Sequence, residues 1–423
     1  MSRKTLPCSH ERLLELTKKL PTPFYLYDEK AIRANARAFY KAFSWVGGFM
    51  DYFAVKACPN PAILAILREE GFGADCSSLA ELVMASQAGI EKERIMFTSN
   101  DTPEEEFLVA RRLGAVINLD DISHIGVLDR VAGMPELISF RYNPGPSRTG
   151  NAIIGNPVEA KYGVTTDQLV DCYRQARDLG ARRFALHTMV ASNELDGSYI
   201  VETARMLFTQ AVRLYTEAGI RLESINMGGG IGIPYRLDQD PMDLQKVSDG
   251  IRALYKAIIV PAGLDPLRIV FECGRMISGP YGYLVSQVRH VAEKYKTYVG
   301  LDACMANLMR PALYGAYHHI TVVGKQTLSQ DKLYDVTGSL CENNDKFAID
   351  RWLPQIVPGD VVVIHDAGAH GHSMGFNYNG KLRSAEYLLT CDGKIRMIRR
   401  AETLDDLFAT LQFEGAPSVS VQV

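Results

Sequence analysis

Lys56 stands inside "YFAVKACPN" (52–60), where strand-like residues run up to a lone ammonium group and Pro59–Asn60 then interrupt the chain. A lysine at the end of a buried strand is unfavourable unless its charge is paired or removed. Linking the amine to a carbonyl compound removes the charge and makes the residue a covalent catalyst. Other polar residues recur at the ends of strand-like runs: Asp75 in "GADCS", Asn100 after "RIMFTS", Arg141 in "ELISFRYN" and His187 in "RFALHTMV". "INMGGGIGIPY" sets Gly228, Gly229 and Gly230 directly after another run, and "FECGR" sets Glu272, Gly274 and Arg275 after the last.

Each of these admits a plain reading beside a chemical one. The three glycines can aim backbone N–H groups at a phosphate, or they can form a tight turn with no ligand. A dinucleotide fingerprint needs a further glycine where Ile233 stands, followed here by Pro234, so a nicotinamide site is not indicated. Glu272 and Arg275 can serve a cationic ring nitrogen and an anion, or pair with each other. "LMRPALYGAYHH" holds Arg310 and Tyr314, and "GSLCENND" holds Cys341, Glu342 and Asp345, both in glycine-containing loops. The histidines of "HDAGAHGHSM" (365, 370 and 372) include a His-x-His spacing, but no carboxylate pattern completes a metal site.

The elements that must position these residues follow a regular rhythm. From "FMDYFAV" to "LRIVFEC", eight strand-like segments alternate with helical ones. Such alternation predicts parallel strands, and eight units predict a closed (β/α)8 TIM-like barrel. A barrel gathers the C-terminal ends of its strands on one side, which is where the polar residues above fall. Past about residue 280 the segments become short and β-like ("GYLVSQVRHVAE", "TYVGLDA", "HITVVGK", "YDVTGS", "GDVVVIHDAG", "EYLLTCDG", "IRMIRRAE"). The predicted organisation is therefore α/β: a barrel over 30–278, and a β-rich domain from 1–29 plus 279–423, with "PFYLYD" as a strand that joins it. "MSRKTLPCSHERLLELTKKLPTPF" predicts a short amphipathic helix ending before Pro21 and lacks the apolar core of a signal peptide.

Bulk properties narrow the function. At 423 residues, with 47% hydrophobic and 22% charged residues, the chain has the composition of a globular protein large enough for two domains. A net charge of -3 gives no basis for binding nucleic acid or an anionic membrane surface. No apolar run approaches the ~20 residues of a membrane span. The eight cysteines form no C-x-x-C pair, which suits reduced thiols and a cytoplasmic protein.

Taken in order and spacing, "FAVKACPN", "GADCSSLAEL", "INMGGGIGIPY", "ECGR", "LMRPALYGAYHHI", "GSLCENND" and "HDAGAHGHSMGFNYNGKLRSAEYLL" resemble the fold-type III pyridoxal-phosphate decarboxylases, and among them the diaminopimelate decarboxylases. The resemblance runs from "PTPFYLYD" to "IRRAETLDDLF", nearly the whole chain. It implies an alanine-racemase-like barrel with a β-domain, pyridoxal 5'-phosphate as cofactor, and a homodimer with shared active sites. It implies Lys56 as the Schiff-base lysine. Asp75, His187, Ser192, Gly228, Gly229, Gly230, Glu272, Gly274, Arg275 and His370 are implied as cofactor contacts, Glu272 near the pyridine nitrogen. Arg275, Arg310 and Tyr314 are implied for the substrate carboxylate. Cys341 and Glu342 are implied to come from the partner subunit, the thiol as proton donor and the glutamate near the distal amine.

Three departures accompany the resemblance. The family shows a histidine followed by Ile-Gly-Ser, whereas "LHTMVAS" puts Met189 in that slot and only His187 and Ser192 match. A thioether packs on an aromatic face but lacks the hydrogen bonding of imidazole. His370 stands where a tyrosine is usual, and "CENND" replaces "CESGD". The implied reaction is decarboxylation of meso-2,6-diaminopimelate to L-lysine and CO2, the last step of lysine biosynthesis. The alternative is another basic amino acid or a carboxylated polyamine, of the ornithine, lysine or carboxynorspermidine type.

Overall fold

The computed structural model describes residues 4–150 and 155–413. Helix α1 (His10–Lys19) leads to strand β1 (Phe24–Asp28), and Asp28 then caps helix α2 (Glu29–Ala42) by accepting the Ala31 N–H at 3.0 Å. Buried Ile32, Ala36 and Phe39 recur every three or four residues, so α2 lays one apolar stripe on the molecule.

Eight parallel strands close into a barrel, as the alternation predicts: β2 (Met50–Ala54), β3 (Gly73–Cys76), β4 (Ile95–Thr98), β5 (Val116–Leu119), β6 (Leu137–Arg141), β7 (Arg183–His187), β8 (Leu222–Asn226) and β9 (Arg268–Phe271). Closure is made by β9 against β2, with Met50 opposite Val270. Between the strands run α3 (Pro61–Glu69), α4 (Leu79–Gln87), α5 (Glu104–Leu113), α6 (His124–Ala132), α7 (Thr166–Asp178), α8 (Gly197–Ala218) and α9 (Leu244–Ile258). Strands such as β3, β5 and β6 are buried throughout, because barrel side chains fill the interior and the helices cover the outside. Asn60, Ser78 and Asp196 cap α3, α4 and α8, so several strand-to-helix turns on the polar side of the barrel are held by side-chain bonds.

Short helix α10 (Arg275–Ser278) leads out of the barrel into β10 (Gly282–Glu293) and β11 (Thr297–Leu301), followed by helix α11 (Arg310–Tyr314). Six more strands follow: β12 (Ile320–Val322), β13 (Lys332–Thr337), β14 (Lys346–Leu353), β15 (Val361–Ile364), β16 (Ala385–Leu389) and β17 (Ile395–Arg399). They form a mixed sheet in the order β14-β13-β11-β10-β1-β16-β17, with β15 joining β10 to β12. Strand β1 lies inside it, antiparallel to β10 and parallel to β16. The sequence reading does not contain β14. Its segment, "KFAIDRWL", exposes Ile349, Asp350 and Trp352 on a strand at the end of the sheet order, so its apolar residues do not alternate onto one buried face.

The C-terminal sheet grips the chain just after Lys56. Glu386 accepts from Asn60 Nδ2 at 3.0 Å, Arg399 Nη2 donates to the Pro59 carbonyl at 2.7 Å, and the His370 N–H donates to the Ala57 carbonyl at 2.8 Å. Among the described residues, no helix is long and apolar enough to cross a membrane.

Candidate active site

Lys56 sits one turn beyond its strand. A single 3-10 turn, Val55–Ala57, follows β2, and the lysine side chain is 51% exposed because it opens into a cavity of about 510 Å³. Lys56 thus stands just past the end of a buried strand, as the sequence reading has it, with its side chain opening into the cavity. Its Nζ lies 3.0 Å from Asp75 Oδ2, at the end of β3. Burial favours the neutral amine, but Asp75 and Glu272 outweigh it and leave Lys56 above the ordinary lysine range. Burial, reinforced by Glu272, pushes Asp75 up to about 7 despite Lys56. The other oxygen of Asp75 is buried with no protein partner.

Glu272 lies one residue past β9 and is almost fully buried. His187 Nε2 donates to Glu272 Oε2 at 3.0 Å, and Asn226 Nδ2 donates to Oε1 at 2.7 Å. Burial by itself would raise this carboxyl, but His187, Lys56 and the Asn226 amide bring it below its ordinary value. Behind His187, Nδ1 meets the Asn118 amide at 3.1 Å. Beneath Glu272, fully buried Asp51 accepts the Cys273 N–H at 2.8 Å and fixes the end of β9, and burial holds its own carboxyl well above the usual range. Gly274 is required where it stands, since an added Cβ would lie 2.6 Å from Ala57 Cβ beside the lysine turn.

The glycine turn differs from its expected use. Gly228 has φ +67°, and a Cβ there would come 2.1 Å from the Thr188 carbonyl, so only glycine fits. Its N–H, however, is taken by Asn226 Oδ1 at 2.9 Å, and the cavity is lined by Gly229 and Gly230 instead. The Gly229 N–H points to Met189 Sδ at 3.3 Å, so the thioether that replaces imidazole does form a hydrogen bond, as an acceptor. Arg141 also reaches the cavity, paired with Asp120 at 3.3 Å and stacked on Tyr162 at 3.7 Å.

A second cavity of about 350 Å³ adjoins the first, and Ser192, Asn193, Arg275 and His370 line both. Here Arg275 Nη1 donates to Tyr235 Oη at 2.7 Å and Arg310 Nη1 donates to the same oxygen at 2.8 Å. Arg310 is also 3.0 Å from His318 Nε2, while His318 Nδ1 donates to the His365 carbonyl at 2.8 Å. Burial and then Arg310 lower His318 to about 3, so it stands behind Arg310 as a neutral acceptor. His370 is pushed well below 6.5 by burial and by Arg275, Arg310 and Lys56. Tyr314, exposed on α11, completes this wall. His365 and His372 are engaged elsewhere, with Thr321 Oγ1 and the Ser384 carbonyl.

Cys341 and Glu342 are not brought to either cavity within one chain. Buried Asp345 accepts the N–H groups of Met305 and Leu340 and folds the loop so that both residues are exposed, with Cys341 Sγ 3.3 Å from Tyr378 Oη. Tyr235, Asn118, Asn226 and His318 were not singled out in the sequence. Tyr235 and His318 lie within the quoted blocks, but only the fold shows that they meet the arginines.

Residues 29–279 match the family model described as "Pyridoxal-dependent decarboxylase, pyridoxal binding domain". The chain belongs to the pyridoxal-dependent decarboxylases. It is 46% identical over 400 residues to "Protein TabA" of Pseudomonas amygdali pv. tabaci, covering 95% of this chain and 93% of that one. It is 37% identical over 397 residues to a diaminopimelate decarboxylase of Methanothermobacter thermautotrophicus, covering 93% and 92%. A solved diaminopimelate decarboxylase from Helicobacter pylori, complexed with L-lysine, superposes with a TM-score of 0.83 at 32% identity, covering 94% of this chain and 98% of that one. The barrel and mixed sheet described above are thus the architecture of a pyridoxal-dependent decarboxylase.

The residues present fit the cofactor of the family. The cavity offers the Lys56 amine beside Asp75, an ionised buried carboxylate at Glu272, a glycine turn and an unpartnered buried oxygen on Asp75. Bound pyridoxal phosphate supplies an aldehyde that links to amines and a cationic ring that withdraws electrons from the α-carbon of a linked amino acid.

Proposed function

We propose that this pyridoxal-dependent decarboxylase converts meso-2,6-diaminopimelate to L-lysine and CO2. The observation that carries the reading is the convergence of Arg275 and Arg310 on Tyr235 in a cavity that adjoins the one holding Lys56. Two guanidiniums make a carboxylate site, and a substrate that loses one carboxylate while keeping a second one needs such a site. Relatives named diaminopimelate decarboxylase, and one solved in complex with L-lysine, support the same substrate. Ornithine, lysine and carboxylated polyamines lose the one carboxylate they have and leave none for these guanidiniums to hold.

In this reading Lys56 holds the cofactor and Glu272 keeps a proton on its ring nitrogen. Gly229, Gly230 and Ser192 face its phosphate, while Asp75, His187 and His370 shape its seat. Arg275, Arg310 and Tyr314 orient the substrate by its distal carboxylate. Cys341 Sγ, contributed by a second copy, returns a proton to the α-carbon, and Glu342 of that copy receives the distal amine. The free state of all eight cysteines supports a cytoplasmic site of action.

Arg310→Ala is expected to lower kcat/KM on diaminopimelate by about ten- to a hundredfold. A charge-assisted bond is worth roughly 1.5–3 kcal/mol, and ~1.4 kcal/mol is tenfold. The loss on ornithine, which has no distal carboxylate, should be much smaller. A wild-type enzyme that prefers ornithine or a carboxylated polyamine would decide for the alternative.

The shared site has its own test. Lys56→Ala and Cys341→Ala proteins, each inactive alone, should regain partial activity when mixed, because a heterodimer assembles one intact site. With subunit exchange demonstrated, no recovery would place both residues in one chain's site.

A further inference from the structure

The second cavity is basic. Arg236, Arg275 and Arg310 line it together, and no Asp or Glu of the described residues does. A fourth guanidinium, Arg351, stacks on the Tyr317 ring at 4.1 Å, and Arg236 lies 4.6 Å from the same ring centroid. Burial and then Arg275 depress Arg310, and burial outweighs Tyr317 at Arg351, where Arg236 also acts downward. Asp366 feels Arg310 but is already paired with Lys4 at 2.7 Å.

The two amide acceptors of this wall are engaged as well. Asn193 Oδ1 accepts the Ile233 N–H at 3.0 Å, and Gln239 Oε1 accepts the backbone N–H of Arg236 at 3.0 Å. What remains is three guanidiniums beside hydroxyls and the neutral His370 imidazole, with no carboxylate, which favours anions over an ammonium. Stacking on Tyr317 holds the Arg236 guanidinium in place before any ligand arrives, so little freedom is lost on binding.

We infer that this wall reads a second anion: besides the free diamino acid, the site accepts one whose distal nitrogen carries an acidic acyl group, and Arg236 is the residue that selects that group. The inference rests on the diamino acid reading above, with Arg275 and Arg310 holding the distal carboxylate. Acylation removes the ammonium that finds no acid in this lining and adds the carboxylate that Arg236 lacks.

The test compares binding of Nα-succinyl-L-lysine, Nα-acetyl-L-lysine and L-lysine to the holoenzyme, together with CO2 release from diaminopimelate and its distal N-succinyl derivative. The succinyl ligand should bind about tenfold or more tighter than L-lysine, the acetyl ligand should gain far less, and Arg236→Gln should shrink the succinyl advantage to about twofold or less. Arg236 is exposed, so the variant is expected to fold. Equal or weaker binding of the succinyl ligand, or an advantage that survives Arg236→Gln, overturns the inference. If neither diamino acid releases CO2 while the binding difference holds, the reaction proposed above fails and the anion site stands. If diaminopimelate is decarboxylated and the succinyl form has no advantage in binding or turnover, the reverse is true.

Discussion

Replacing Lys56 by alanine is expected to abolish retention of the cofactor on the protein and to lower kcat/KM by roughly a thousandfold or more, the scale seen when a residue that makes a covalent bond is removed. Borohydride should fix the cofactor to the wild-type peptide that contains Lys56, and to nothing in the variant. The barrel should survive the change. The side chain is half exposed, and the turn that carries it is held by backbone atoms, with the His370 N–H on the Ala57 carbonyl. Asp75 loses its cation, and burial then keeps its carboxyl protonated, which avoids an unpaired charge in the interior. Lys161 is the other lysine among the described residues lining the cavity. Cofactor fixed to Lys161, or full retention in Lys56→Ala, would remove Lys56 from the role proposed for it.

The sequence makes the barrel side of this site legible and leaves much of the rest unseen, for physical reasons. Asp75, Arg141, His187 and Glu272 end or follow strands, and a closed parallel barrel gathers strand ends whatever the loops do, so the alternation alone brings them to Lys56. Tyr235 is different. A tyrosine after a proline in a loop is ordinary, and its importance arises only because Arg275 and Arg310, forty and seventy-five positions away, both donate to it. His318 owes its place to the same convergence. Gly228 shows what residue type leaves open: a glycine after a strand can serve a phosphate or only a tight turn, and in the fold its N–H donates to Asn226 while Gly229 and Gly230 line the cavity. Cys341 and Glu342 were marked by their motif, yet one chain exposes them, which is why the role proposed for them requires a second copy.

Glu272→Gln should lower kcat by about ten- to a hundredfold while leaving the affinity for the cofactor nearly unchanged. The split follows from what the carboxylate does. Glu272 is kept ionised in a buried place by His187, Lys56 and Asn226, and such a charge is useful only opposite a cation. Glutamine keeps the shape and one acceptor for the Asn226 amide, but it cannot hold a proton on a ring nitrogen. The lost charge-assisted bond, roughly 1.5–3 kcal/mol, therefore falls on the step that draws electrons into the ring. In the reading proposed above, retention depends instead on the link at Lys56 and on the phosphate contacts, which the substitution does not touch. Asn226→Ala supplies the comparison, because it removes one bond to Glu272 and keeps the charge, so its effect on kcat should be smaller. Stopped-flow and steady-state rates with cofactor titrations measure all three proteins. If Glu272→Gln turned over substrate at the wild-type rate, Glu272 would be an ion partner of His187 and nothing more.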